Sequence, residues 1–231
     1  VSGLYIFAMG CFDYYMLDSS KQSGSADDFQ SNRISNGAWM LPWLAPFPGT
    51  LLLFGALLPS KILYAEEFWR IFTSAVMPCS VVEWLLVVVS WRLILLSSPL
   101  LPRYRWAGVY CLSTLTGQIW MLAWDPTALA GCVSWGTCAV LVSLGVVSPS
   151  RRLLLHLTAS ALIILVMLER PHNSALGAVG SCFFGWAWTG ANKIKTGKSD
   201  YEESFARQFK RWLCRAIAVS IMVVPMIWVA I

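Results

Sequence analysis

Charge is what this sequence has least of. Charged side chains make up 13% of its 231 residues, about half the share of an ordinary soluble domain. The mean hydropathy is +0.62, and the two together predict a polytopic membrane protein. Histidine is almost missing: His156 and His172 are the only two, which restricts any histidine-based chemistry. There are seven cysteines, an odd number, with no C-x-x-C spacing. Neither a disulfide framework nor a metal site is expected, and the thiols read as buried and free. The net charge of +5 does not point to nucleic acid, because the basic residues sit between apolar segments instead of on one face. No small-molecule substrate is expected. The chain opens at Val1 with no basic n-region and no Arg/Ser-rich presequence. A removed presequence would favour a mitochondrial or secretory-route membrane.

A span needs about 20 apolar residues. The candidates are 1–17 (with Asp13 inside), 75–97, 106–124, 129–148, 153–168, 174–190 and 213–231. Residues 18–36 are polar and rich in Ser and Asp, the start of a long first loop, 18–74. Residues 37–60 are apolar but hold Pro42, Pro46, Pro48 and Pro59. Prolines remove backbone bonds that lipid cannot replace, so this stretch reads as interfacial or re-entrant, with Trp39 and Trp43 at headgroup level. The connector 198–212 places Tyr201, Phe205 and Phe209 four apart and predicts an amphipathic interfacial helix before the last span.

Alternate junctions carry the positive charge: Arg103 and Arg105, then Arg151 and Arg152, then Lys193, Lys195 and others near 198–211. The opposite junctions are neutral to acidic, as the positive-inside rule requires. The same basic residues would lie at one leaflet and hold phosphate headgroups such as cardiolipin's, so bound phospholipid is the one non-protein component expected. Gly177, Ser181, Gly185 and Thr189 recur every four residues, a slim stripe that lets another helix approach. Segment 129–148 offers Gly131, Ser134, Gly136, Cys138 and Ala139 as its counterpart. Glu83 falls in mid-span, where lipid charges about 3 kcal/mol, so it should face the bundle interior.

The order of these features resembles the rhomboid family of intramembrane serine proteases over nearly the whole chain. The motif that carries most of the resemblance is Y-A-E-E-F-W-R-I-F-T-S-A-V-M-P at 64–78, where Trp69, Arg70, Phe72 and Thr73 match the family's entry into its second span. C-V-S-W-G-T-C-A-V-L at 132–141 is similar to the nucleophile helix. The resemblance implies an all-α, six-helix rhomboid-like core (1–190), followed by the connector and one further transmembrane helix (191–231). It puts Ser134 at the nucleophile position, with Cys132 where the family has Gly and Trp135 where it has a small residue. The base position falls on Ser174. The oxyanion positions fall on Pro78, Glu83 and Val87. None of these can act as base or oxyanion donor in the family's way, and neither His172, in the E-R-P-H-N junction, nor His156 is expected to substitute.

The implied protein is therefore a proteolytically inactive rhomboid-like membrane protein. Derlin-like proteins are a more distant relative. The expected role is structural: an accessory subunit or scaffold of a larger membrane complex, contacting partner subunits and phospholipid. The mitochondrial inner membrane is the expected setting, with endoplasmic reticulum or Golgi as the alternative. A pseudoprotease that captures transmembrane clients, and an atypical active serine protease, are the competing readings.

Overall fold

A computed structural model describes residues 3–4, 7–9, 11, 48–97, 103–124, 129–148, 151–169, 174–193 and 205–230. The proposed first span with Asp13, the polar loop 18–36, Trp39, Trp43, Pro42, Pro46, His172, Lys195 and 198–204 lie largely or wholly outside them. Among the described residues the fold is all-α, with no strand. After helical residues at 3–4, 7–9 and 11 come three short helices, α1 (Pro48–Leu53), α2 (Pro59–Ala65) and α3 (Trp69–Val76). Six longer ones follow: α4 (Val81–Ser97), α5 (Arg103–Trp124), α6 (Val133–Val147), α7 (Arg152–Glu169), α8 (Ser174–Lys193) and α9 (Phe205–Ala230).

Two of the prolines expected to break structure start it instead. Pro48 and Pro59 are the first residues of α1 and α2, the one helical position where a missing N–H costs nothing. From residue 48 onward the segment is thus a short helix, a turn and the start of a second helix. At that turn Gly55 has φ +94, and a Cβ there would lie 2.4 Å from the Trp69 ring and 2.5 Å from the Thr73 hydroxyl.

The expected single helix over 75–97 is corrected. The chain leaves α3 at Val76 and re-enters helix at Val81, with the two axes bent by 74°. Pro78 sits in the break, where it displaces no helical hydrogen bond. Glu83 consequently belongs to the first turn of α4 and not to a mid-span position. It is buried as expected, 1% exposed, and its role is a cap. Ser80 Oγ accepts from the Glu83 N–H at 2.9 Å, while Glu83 Oε2 accepts from the Cys79 N–H at 2.5 Å. S-x-x-E is the capping-box spacing, with the glutamate arm here reaching the N–H one residue before the N-cap. Glu83→Ala is expected to cost about 1–2 kcal/mol in unfolding free energy, while Glu83→Gln, which keeps an acceptor oxygen, costs less. Equal losses for the two variants would count against the capping role.

No single described helix is both long and apolar enough to cross a membrane; α3 with Val81–Leu96 of α4 pass that test together as the bent pair. The connector and last span also differ from expectation. They form one continuous helix, α9, from Phe205, with Pro225 inside it.

The core is built around α6, whose residues from Val133 to Leu141 are all buried. α5 and α7 run antiparallel to it, and α8 runs parallel. The contacts set these directions: Gly136 meets Tyr110 and Thr114 of α5, Gly145 meets His156 of α7, and Gly185 of α8 meets Ala139 and Ser143. The slim residues of 129–148 were expected to form one face toward α8. They are shared among three neighbours, since Cys138 points its thiol at the Ala159 carbonyl of α7 instead. The alternating directions bring Arg103, Arg105, Arg151, Arg152 and Lys193 to one end of the bundle. The described acidic residues, Glu66, Glu67, Glu83 and Glu169, lie at the other.

Candidate functional site

The positions singled out by sequence converge at the acidic end, where two helix starts and two loops meet. The front half of the motif holds the turn after α1. Arg70 is buried at 7% exposure, and its Nη1 donates to the carbonyls of Leu52 at 2.7 Å and Ala56 at 3.2 Å. Its Nε donates to the Glu67 carboxylate, and the guanidinium lies 4.7 Å from the Trp69 ring centroid. Thr73 Oγ1 adds a bond to the Gly55 carbonyl at 2.8 Å. One planar cation thus answers carbonyls that the end of a short helix leaves open.

The break between α3 and α4 is pinned to the entry of α6. The Cys132 N–H donates to the Ser74 carbonyl at 2.8 Å, and Leu57 and Ala130 exchange backbone bonds at 2.8 and 3.0 Å. The Gly131 N–H donates to the Cys79 sulfur at 2.8 Å. Only glycine fits at 131, because a Cβ would stand 2.4 Å from the Met77 carbonyl. From α5, buried Gln118 donates to the Ile71 carbonyl at 2.9 Å and the Ser74 hydroxyl at 3.0 Å. Tyr110 OH reaches the Ala75 carbonyl at 2.5 Å. Gln118 and Tyr110 were missed by sequence reasoning. Gln118 had a signal, as an uncharged amide in an apolar helix needs a partner.

Ser134 is fully buried near the start of α6. Its Oγ has no hydrogen-bond partner among the described residues. Trp135, expected to crowd the ground beside it, is turned inward and fully buried. Its ring fills a slot between α5 and α8. A Cβ on Gly177 would meet three ring atoms at 2.5–2.7 Å, and one on Gly117 would meet the ring at 2.9 Å. The Gly177 end of the small-residue stripe is therefore a seat for one indole. Ser181, one turn on, donates to the Ser113 carbonyl of α5 at 2.8 Å. Farther along, Ser143 Oγ donates to the Gly185 carbonyl at 2.9 Å.

His156 does not approach Ser134. Its ring packs over Gly145, eleven residues along α6 and about 16 Å away at 1.5 Å per residue. Ser174, at the base position, is the first residue of α8. Val87 is buried in the apolar core, while Pro78 and Glu83 form the break and the cap already described. The basic residues stand at the far end: Arg105, Arg151 and Arg152 are exposed, Arg103 opens α5 and Lys193 closes α8. What the arrangement at the acidic end does is cross-brace helix ends. Most of its donors are spent on backbone carbonyls, and the Ser134 hydroxyl has no hydrogen-bond partner among the described residues.

Comparison with protein-family models, with curated proteins and with solved structures finds no match for this chain.

Proposed function

We propose that this chain is a rhomboid-like integral membrane protein without proteolytic activity, acting as a structural subunit or scaffold of a larger membrane complex, with the mitochondrial inner membrane as its setting. The observation that carries the non-enzymatic part is the pair Ser134–Trp135. A nucleophile needs a base within hydrogen-bonding distance, and an acyl-transfer site needs open ground for the carbonyl beside it. Here the neighbouring indole fills the slot between α5 and α8, and the described histidine is about 16 Å along the helix.

What supports the membrane part is the surface. α4 exposes Leu85, Val88, Val89, Leu95 and Leu96, and α7 exposes Leu153, Leu154, Leu157 and Ile164. Apolar surface on that scale needs lipid or protein to cover it. Charge at the two ends differs in sign, as a positive-inside orientation would have it. On α9, exposed Phe209, Trp212, Val219 and Val223 offer a face for partner helices.

Two measurements test the reading. A serine-directed fluorophosphonate probe applied to the folded protein is expected to leave Ser134 unlabelled; labelling lost in Ser134→Ala would make the protein an active hydrolase. After mild detergent extraction, native electrophoresis with mass spectrometry is expected to find the chain at fixed stoichiometry in one complex. Variable, substoichiometric partners would instead favour capture of transmembrane clients.

A further inference from the structure

The basic end has a structure of its own beyond its sign. α4 ends between two arginine-bearing helix starts. On one side, Arg151 Nη1 donates to the Leu96 carbonyl at 3.1 Å, which fixes that guanidinium at the last turn of α4. On the other, Trp91 of α4 packs tilted against Tyr110 of α5 with centroids 5.8 Å apart. Counting five residues up α4 and five back down α5 at equal rise puts Arg105 level with Leu96. Arg152 begins α7, whose first-turn N–H groups open toward this same end and favour an anion there. The acidic residues among those described all lie at the opposite end. Next to the arginines in sequence or one turn away, the same two helices expose Leu95, Leu96, Leu153, Leu154 and Leu157. Cations beside leucines, on two helices in contact, match one kind of molecule: a diacyl lipid with a negative headgroup.

We propose that the joint of α4 and α7 seats an anionic phospholipid, its phosphate on Arg151 and Arg152, and its acyl chains along the exposed leucines. This rests on the membrane reading above. It goes further by choosing one joint and one lipid charge class. Arg152 is the residue to vary, because Arg151 also closes the end of α4.

The test uses the full chain purified in neutral detergent, with phosphatidylglycerol, phosphatidylcholine or inorganic phosphate added. Native mass spectrometry counts retained lipid, and thermal unfolding reports stabilisation. Wild type should retain phosphatidylglycerol in preference to phosphatidylcholine. Arg152→Gln should reduce that preference roughly fivefold, the attraction of one basic side chain at an anionic surface, while Arg152→Lys and the α9 variant Arg215→Gln keep most of it. Equal retention of the two lipids, an unchanged preference in Arg152→Gln, or full stabilisation by inorganic phosphate alone would each overturn the seat. Failure of the membrane reading shows separately, as release of the chain from vesicles by alkaline carbonate.

Discussion

Gly177→Ala is expected to lower the unfolding free energy by about 2 kcal/mol, in the range typical of overpacking a filled core. Gly108→Ala, a change of the same type in α5, is expected to raise it by about 0.5–1 kcal/mol. The difference in sign comes from the surroundings. At Gly177 the added methyl would stand 2.5–2.7 Å from three atoms of the Trp135 ring, whereas at Gly108 nothing lies within 4 Å. The indole cannot yield outward, because its other edge is held near Gly117 of α5. At Gly108 only the backbone entropy of the unfolded chain changes, and alanine reduces it. Reversible unfolding in mixed detergent micelles measures both. Trp135→Leu in the Gly177→Ala background should recover part of the loss, since it removes the ring atoms in conflict. A destabilisation at Gly177 that is additive with Trp135→Leu would mean that the two do not share one slot.

Arg70→Ala should be the most damaging single truncation outside the core, at about 3 kcal/mol. Arg70 ties three separate pieces together. It holds the end of α1 through the Leu52 carbonyl, the following turn through the Ala56 carbonyl, and Glu67 ahead of α3. Alanine leaves the Ala56 carbonyl buried without that donor, and Ala56 is fully inaccessible. Lysine keeps the charge but not the fork, so Arg70→Lys should recover less than half of the loss. Because the loss concerns α1 and α2, limited proteolysis should open the chain first between residues 48 and 68, with α5–α8 still protected. Uniform digestion, or an Arg70→Lys variant as stable as wild type, would contradict this account.

These two residues also mark how far the sequence could be read. Trp69-Arg70 was legible, through the resemblance of its motif, as the point where the first loop enters the helix. Which carbonyls Arg70 takes was not legible, since Leu52 and Ala56 lie 18 and 14 residues away and nothing local selects them. Glu83 was legible as buried, and its mid-span position was not correct. The S-V-V-E spacing that marks a helix start was present at 80–83, but the apolar run on both sides concealed the break at Met77–Ser80. The stripe on α8 was legible as a packing surface for α6. That its Gly177 end receives a single tryptophan was not, because a glycine records that something comes close and never what. Ser134 shows the limit in the other direction: its type and context suggested a nucleophile position, and only its surroundings say what it can reach.

The sequence by itself determined the four helices α5 to α8, their alternating directions and the charge at each end. These follow from short-range rules: apolar runs form helices, short junctions reverse them, and basic junctions recur on every second turn. The tertiary structure alone decided what the special residues do. Pro78 fell in a break between two helices, Glu83 became a cap instead of a mid-span charge, and Trp135 filled the slot between α5 and α8. Each outcome depends on side chains dozens of residues apart meeting at one helix end, and contacts at that separation are fixed by how the helices pack.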